Sequence, residues 1–275
     1  MFFEGITLYL YFLCHNGEVN MDEITINLDE DIDISNSLVI LGFPTVGLIG
    51  SIAGNYISNS LDLKRVGSIN SKYFMPSVLI RKSKPIPPVR IYHAGKEICS
   101  ENDICDNLVV IVSEFPIPPQ IVNPLIEKIV DWTDEKNVSM FLGLEGLKST
   151  DKSEDQVDVY GVGSNSDMID ILNKYDIEKI QNGMIAGFTG AFLSAETERN
   201  KNMICMLTEA HLAYPDSRAA GRLLEKIDDM LPGVNLDLKP LYEKAEKIEK
   251  NIKQNLKQTQ QIPRAQKENV PNMYY

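Results

Sequence analysis

Leu38-Val39-Ile40-Leu41-Gly42-Phe43-Pro44-Thr45-Val46-Gly47-Leu48-Ile49-Gly50 reads as a short strand, a glycine-rich turn and the start of a helix. Consecutive apolar residues with no polar alternation suit a strand covered on both faces. From Val46 to Leu61, small and apolar residues recur at helical spacing. The same alternation runs outward in both directions. Upstream, Met21 opens the acidic strand segment MDEITINL. Downstream, Arg65 to Ile69 is the next strand, and Val78-Leu79-Ile80 and Val89-Arg90-Ile91-Tyr92 read as a strand pair split by the turn KSKPIPP. Leu108 to Val112 is a buried strand, Pro118 to Lys136 a helix and Val138 to Leu142 a strand. Val157 to Val162 is β-like, Met168 to Tyr175 helical and Met203 to Leu207 again a buried strand. Ser217 to Leu231 is a helix that Pro232-Gly233 stops. Apolar strands alternating with helices predict an α/β fold, a three-layer α/β/α sandwich with a mostly parallel sheet.

The C-terminal stretch follows a different rule. From Lys239 to about Lys257, Leu241, Ala245, Ile248, Ile252 and Leu256 form one apolar stripe. Glu243, Glu246 and Glu249 alternate with Lys244, Lys247, Lys250 and Lys253, so pairs one turn apart support the helix. Such a helix either docks on its own domain or forms a short coiled coil. Beyond it, glutamines, prolines and other polar residues cannot bury a core. The expected organisation is an α/β domain over 22–234, a helix over 235–257 and a flexible tail over 258–275. Residues 1–21 read as an upstream extension, with Met21 as the expected start of translation. Met1 to Cys14 is apolar but too short to span a bilayer, contains Glu4 and lacks a basic flank. The alternative for that stretch is a membrane tether.

Composition removes several classes of function. A formal net charge of −12 disfavours a nucleic-acid partner, which selects a basic face. The cysteines at 14, 99, 105 and 205 show no metal-ligand spacing and are expected to be reduced thiols in the cytoplasm.

No catalytic set can be assembled from spacing. The turn holding Gly42, Gly47 and Gly50 sits where a phosphate cradle would, but Leu48-Ile49 stand where a P-loop needs Lys and Ser or Thr. Its glycines either permit tight helix–sheet packing or line a small-ligand pocket. Glu114 follows a buried strand, so it either meets a ligand at the strand's carboxyl end or caps the next helix. Glu209 and His211 follow another strand, as an acid–base pair or as loop and interface residues. Asp216 or Ser217 is placed to cap the helix carrying Arg218 and Arg222. Neither Ser113 nor Ser194 lies in a nucleophile elbow. No metal site and no cofactor are expected.

Four stretches carry a resemblance. They are GFPTVGLIGSIAGNYIS, VVIVSEFPIPP, GMIAGFTGAFL, and MICMLTEAHLAYPDSRAAGRLLEKIDDML followed by LYEKAEKIEK. Together they resemble the proteasome assembly chaperone 2 family in its archaeal single-domain form, from about Leu38 to Lys250. The most specific stretch is TEAHLAYPDSRAAGRLL. The resemblance implies a nucleoside-phosphorylase-like sandwich without catalytic apparatus, and a homo- or hetero-oligomer. It also gives meaning to Met273-Tyr274-Tyr275, which resembles the docking tag of proteasome activators: an apolar residue, a penultimate tyrosine and a free terminal carboxylate. The implied partners are α-subunits of the 20S proteasome.

Overall fold

The structure is a computed structural model and describes residues 23–95, 105–148, 159–212, 214–231 and 234–260. Eleven strands and six helices occur among these residues. The strands are β1 (Ile24–Leu28), β2 (Ser37–Gly42), β3 (Lys64–Ser71), β4 (Leu79–Arg81), β5 (Lys84–Ile86) and β6 (Val89–Ala94). They continue as β7 (Asn107–Ser113), β8 (Met140–Lys148), β9 (Val159–Gly163), β10 (Glu178–Lys179) and β11 (Met203–Ala210). The helices are α1 (Ile49–Ser60), α2 (Val122–Glu135), α3 (Ser166–Lys174), α4 (Gly187–Glu198), α5 (Ser217–Met230) and α6 (Lys239–Gln260).

Nine strands make one sheet in the order β1-β3-β6-β7-β2-β8-β11-β9-β10. Side chains alternate across it, so each central strand feeds two cores. Leu38 and Ile40 of β2 face α1, α3, α5 and the start of α6, whereas Val39 and Leu41 face α2 and α4. This is the expected three-layer sandwich. Its sheet is mixed rather than mostly parallel. β7, β2, β8 and β11 run parallel at the centre, while β1, β3 and β6 on one flank and β9 on the other pair antiparallel. Buried apolar runs mark a strand covered on both faces but carry no direction, which is why the flanks were misread.

Two further departures matter for the site. Val78–Ile80 and Val89–Tyr92 do not pair. β4 folds back on β5 instead, with Leu79 opposite Ile86 and Arg81 opposite Lys84. Lys82 and Ser83, with φ of 48° and 60°, form the tight turn between them. β6 then enters the main sheet between β3 and β7. The second departure is α4, which the pattern does not announce. Its sequence GFTGAFLSAETE spreads apolar residues around the helix and includes two glycines, so no stripe stands out.

α6 begins docked on the domain. Leu241 and Ala245 are buried, and the Tyr242 hydroxyl donates to Glu225 Oε1 of α5 at 2.6 Å. The Tyr242 ring lies over Gly221, where any added Cβ would sit 2.8 Å from it. Cys205 is a free buried thiol, but Cys105 is disulfide-bonded. The expectation of four reduced thiols fails there, because spacing that excludes a metal site does not exclude an oxidised pair. Among the described residues no helix is long and apolar enough to cross a membrane.

Candidate functional site

The glycine turn leaves the carboxyl end of β2 and is packed on every side that a glycine could open. A Cβ on Gly50 would lie 2.2 Å from the Phe43 carbonyl oxygen, and one on Gly42 would lie 2.9 Å from that of Gly50. Gly47 takes a left-handed conformation, φ 63°, which suits a residue without Cβ. Its own Cβ position is 2.9 Å from Ala210 Cβ and 3.1 Å from Asp216 Cβ. The turn therefore lies against the loop after β11, and the Asp216 N–H donates to the Gly47 carbonyl at 2.8 Å. Two motifs far apart in the sequence are thus neighbours in space.

Asp216 holds that junction. Oδ1 accepts from Ala219 N at 3.0 Å, capping α5, and Oδ2 accepts from His211 N at 3.0 Å. The His211 ring stacks on Tyr214, centroids 4.9 Å apart. Asp216→Ala loses both bonds and should cost about 1–2 kcal/mol, checked by urea unfolding. No measurable change would remove Asp216 from this role.

The turn lies at the carboxyl ends of the parallel neighbours β2 and β8, where open α/β sheets usually collect ligands. In this chain the protein fills the place itself. A Cβ on Gly146 would be 2.2 Å from the Val46 carbonyl oxygen. The neighbouring Glu145 is 7% exposed, and burial pushes its carboxyl up to about 7. The Gly146 N–H, donating at 3.1 Å, and the Thr189 and Thr45 hydroxyls pull the other way. Glu196 of α4 is also buried and pushed up to about 7, mainly by desolvation. Both were invisible as sites, since Glu145 interrupts an apolar strand and Glu196 lies in the unannounced helix.

Glu114 does not cap the next helix. The turn at Pro119–Ile121 and α2 have no side-chain cap. Glu114 instead grips Arg90, with Oε1 to Nη2 at 2.6 Å and Oε2 to Nη1 at 2.7 Å. Arg81 Nη2 of the hairpin donates to the same Oε1 at 2.6 Å. Asn55 Oδ1 of α1 accepts from both arginines, at 3.1 and 3.0 Å. Arg90 is fully buried and also donates to Tyr92 Oη and to the Pro87 and Pro88 carbonyls. Burial opposes its charge most strongly, but the bonds and charges of Glu114 and Tyr92 together outweigh burial and raise its pKa. An arginine inside the apolar run Val89–Tyr92 was the available signal.

Glu209 lies elsewhere, on the wall of a cleft of about 720 Å³ between the sheet and α4. Leu147, Tyr160 and Val162 line its sheet side, and Leu193 and Glu198 its helix side. In its lining, Gly190 lets α4 pack against Ile185, whose carbonyl oxygen is 2.1 Å from the missing Cβ position. The glycine turn and Asp216 thus form one packed junction, while Glu114 and Glu209 belong to two other places. Among the described residues no group of three or more His, Cys, Asp or Glu is set to hold a metal ion. Met273, Tyr274 and Tyr275 lie outside the described residues.

A three-layer α/β/α protein whose glycine turn is closed by its own backbone is the class defined by this geometry. The chain belongs to the PAC2 family, which it matches over residues 39–256. It is 32% identical over 223 residues to an uncharacterized protein of Methanocaldococcus jannaschii, covering 81% of this chain and 87% of that one. Among solved structures it is similar to Pyrococcus furiosus PbaA, an archaeal homolog of proteasome-assembly chaperone. That match has TM-score 0.75 and 27% identity, over 86% of this chain and 93% of PbaA. Pyrococcus furiosus PbaB, an archaeal proteasome activator, shares the fold with TM-score 0.74 and 24% identity, over 85% of this chain and 99% of PbaB.

Proposed function

We propose that the chain is a non-enzymatic proteasome assembly chaperone or ATP-independent activator that docks on the α-ring of the 20S proteasome. The observation that carries this reading is the family match over residues 39–256, joined to the similarity to PbaA. The glycine turn supports it from the other side, because its space is taken up by Phe43, Ala210 and Asp216. In this reading the α/β body and α6, which runs from Lys239 to Gln260 rather than ending at 257, present the residues after it as a tether that ends in Met273-Tyr274-Tyr275. The protein acts in the cytoplasm, as a homo-oligomer, without a cofactor, nucleic acid or membrane.

The docking chemistry follows from the three terminal residues. The Tyr274 ring and hydroxyl lodge between neighbouring α-subunits, the Tyr275 carboxylate pairs with a lysine there, and Met273 fills an apolar recess. Charge-assisted hydrogen bonds of this kind contribute about 1.5–3 kcal/mol each. One tail buries little area, so several tails on one oligomer gain by effective concentration. They shift the gate toward its open form only if they bind that form better.

The test is capture of purified 20S particles and stimulation of their peptide hydrolysis. Tyr274→Ala, deletion of Tyr275, or one residue added after it should each abolish capture while the chain stays folded. Tyr274→Phe should do less harm because it keeps the ring. Capture by Tyr274→Ala as tight as by the parent would overturn the tail as the docking element.

A further inference from the structure

The sheet ends at β10, and the chain leaves that edge along the cleft beside α4. β10 pairs only with Tyr160 and Gly161 of β9. Its other edge has no strand partner among the described residues. After a bend at Gln181 and Asn182, the chain runs without turn or helix through Gly183, Met184, Ile185 and Ala186 to α4. Gln181, Asn182, Gly183 and Met184 are all exposed. Among the described residues, none of their backbone N–H or C=O groups bonds to the backbone of another part of the chain. A row of unspent main-chain donors and acceptors is a template for one more strand.

The cleft beside this strap offers apolar contact. Leu147 and Val162 line it from the sheet, Ile180 and Ile185 from the ends of the strap, and Leu193 from α4. Met184 also lines it, yet is 87% exposed. A volume of about 720 Å³ lies within the range of ligand-binding sites. Charge narrows the occupant. Glu198 on the helix wall and Glu178 at the sheet edge are exposed and have no ion-pair partner among the described residues. The cations next to them in sequence are committed elsewhere. Arg199 and Lys201 pair with Asp134, and Lys179 donates to Asn173. An extended segment answers all three features, because it sends alternate side chains to one face and its N–H and C=O groups to its edges. A compact small molecule would leave the strap backbone unused.

We infer that the cleft holds a short extended polypeptide segment, which adds to the strap as a strand, seats alternate apolar side chains on the cleft floor and sets a lysine or arginine against Glu198. Main-chain bonds in such an addition supply affinity for many sequences, and the side-chain pockets supply preference. The inference stands apart from the proteasome reading and makes no use of the tail. Higher ionic strength weakens binding, because part of the attraction is between exposed charges.

The test uses the full chain without proteasomes and a fluorescein-labelled octapeptide, alternating valine and serine between two terminal arginines, with both chain ends blocked. Fluorescence anisotropy should show saturable binding in the micromolar range. Two further peptides carry N-methyl groups, one on the valine nitrogens and one on the serine nitrogens. These two sets of N–H groups point to opposite edges of the strand, so only one of the two peptides should lose affinity, by about tenfold. Glu198→Lys should weaken binding of the arginine peptide by about tenfold and strengthen binding of its counterpart ending in glutamates. Met184→Ser should weaken binding of both. These positions are exposed, and circular dichroism checks that each variant is folded. Tyr274→Ala should bind the peptide as the parent does, which separates this site from proteasome docking. No saturable binding, equal behaviour of the two methylated peptides, or a folded Glu198→Lys chain with parental preference would each overturn the inference. Binding that Tyr274→Ala strengthens would assign the cleft to the chain's own tail, and affinity that rises as the protein is diluted would assign it to a second copy; either would overturn the inference.

Discussion

Glu114→Ala should lower the unfolding free energy by about 3–5 kcal/mol, the range for stranding one partner of a buried ion pair. Arg90 is wholly buried and cannot turn to water. Without Glu114 its guanidinium keeps only neutral acceptors, Asn55, Tyr92 and the Pro87 and Pro88 carbonyls. Arginine does not shed its proton in compensation. Domains of this kind are stable by only about 5–15 kcal/mol, so the loss is a large share. Arg81 loses its carboxylate in the same step, and the hairpin loosens with it. Removing both charges should do less damage, since an apolar pair of similar volume avoids the desolvation cost. Arg90→Met with Glu114→Leu is therefore expected to be more stable than Glu114→Ala. Urea unfolding of the three chains measures this. A cost under about 1 kcal/mol for Glu114→Ala would mean that Arg90 has another route to compensation.

The same cluster shows where sequence reading ran out. Apolar runs located β2, β7 and β11 because strands buried on both faces must be apolar almost throughout. Helical spacing located α1, α2, α3 and α5 because each presents an apolar face to one core. The cap at Asp216 was legible because its chemistry is local, three and five residues from its partners. The Glu114 clamp was not, because its partners lie 24 and 33 residues away and only the hairpin fold brings Arg81 into reach. The close packing of the glycine turn against Ala210 and Asp216 is likewise absent from the sequence pattern, because those neighbours lie more than 160 residues away. The cleft depended on α4, whose uniform composition hides its period.

The buried acids Glu145 and Glu196 should make the fold less stable as pH rises from about 4.5 to about 7. Each carboxyl titrates near 4.5 when unfolded and near 7 when folded. Between those values the folded chain holds protons that the unfolded chain has released, so stability falls as pH rises. Below the unfolded value the contribution is complete, and above the folded value it is lost. The difference corresponds to roughly 3 kcal/mol per group. Glu145 has the stronger case, since it is buried within β8 with no cation among the groups acting on it. Glu196 has Arg199 and Lys201 nearby to favour its charged form, against Asp134, and its Oε1 is buried without a hydrogen-bond partner. Glu145→Gln and Glu196→Gln keep the size of each side chain and remove the titration. Each should leave stability near pH 5 little changed, raise it near pH 8 and flatten the slope between, with the larger effect at Glu145. Equilibrium unfolding in urea at several pH values reads this directly. A Glu145→Gln chain with the parental slope would show that Glu145 is already charged in the fold, stabilised there by donors beyond Gly146, Thr189 and Thr45.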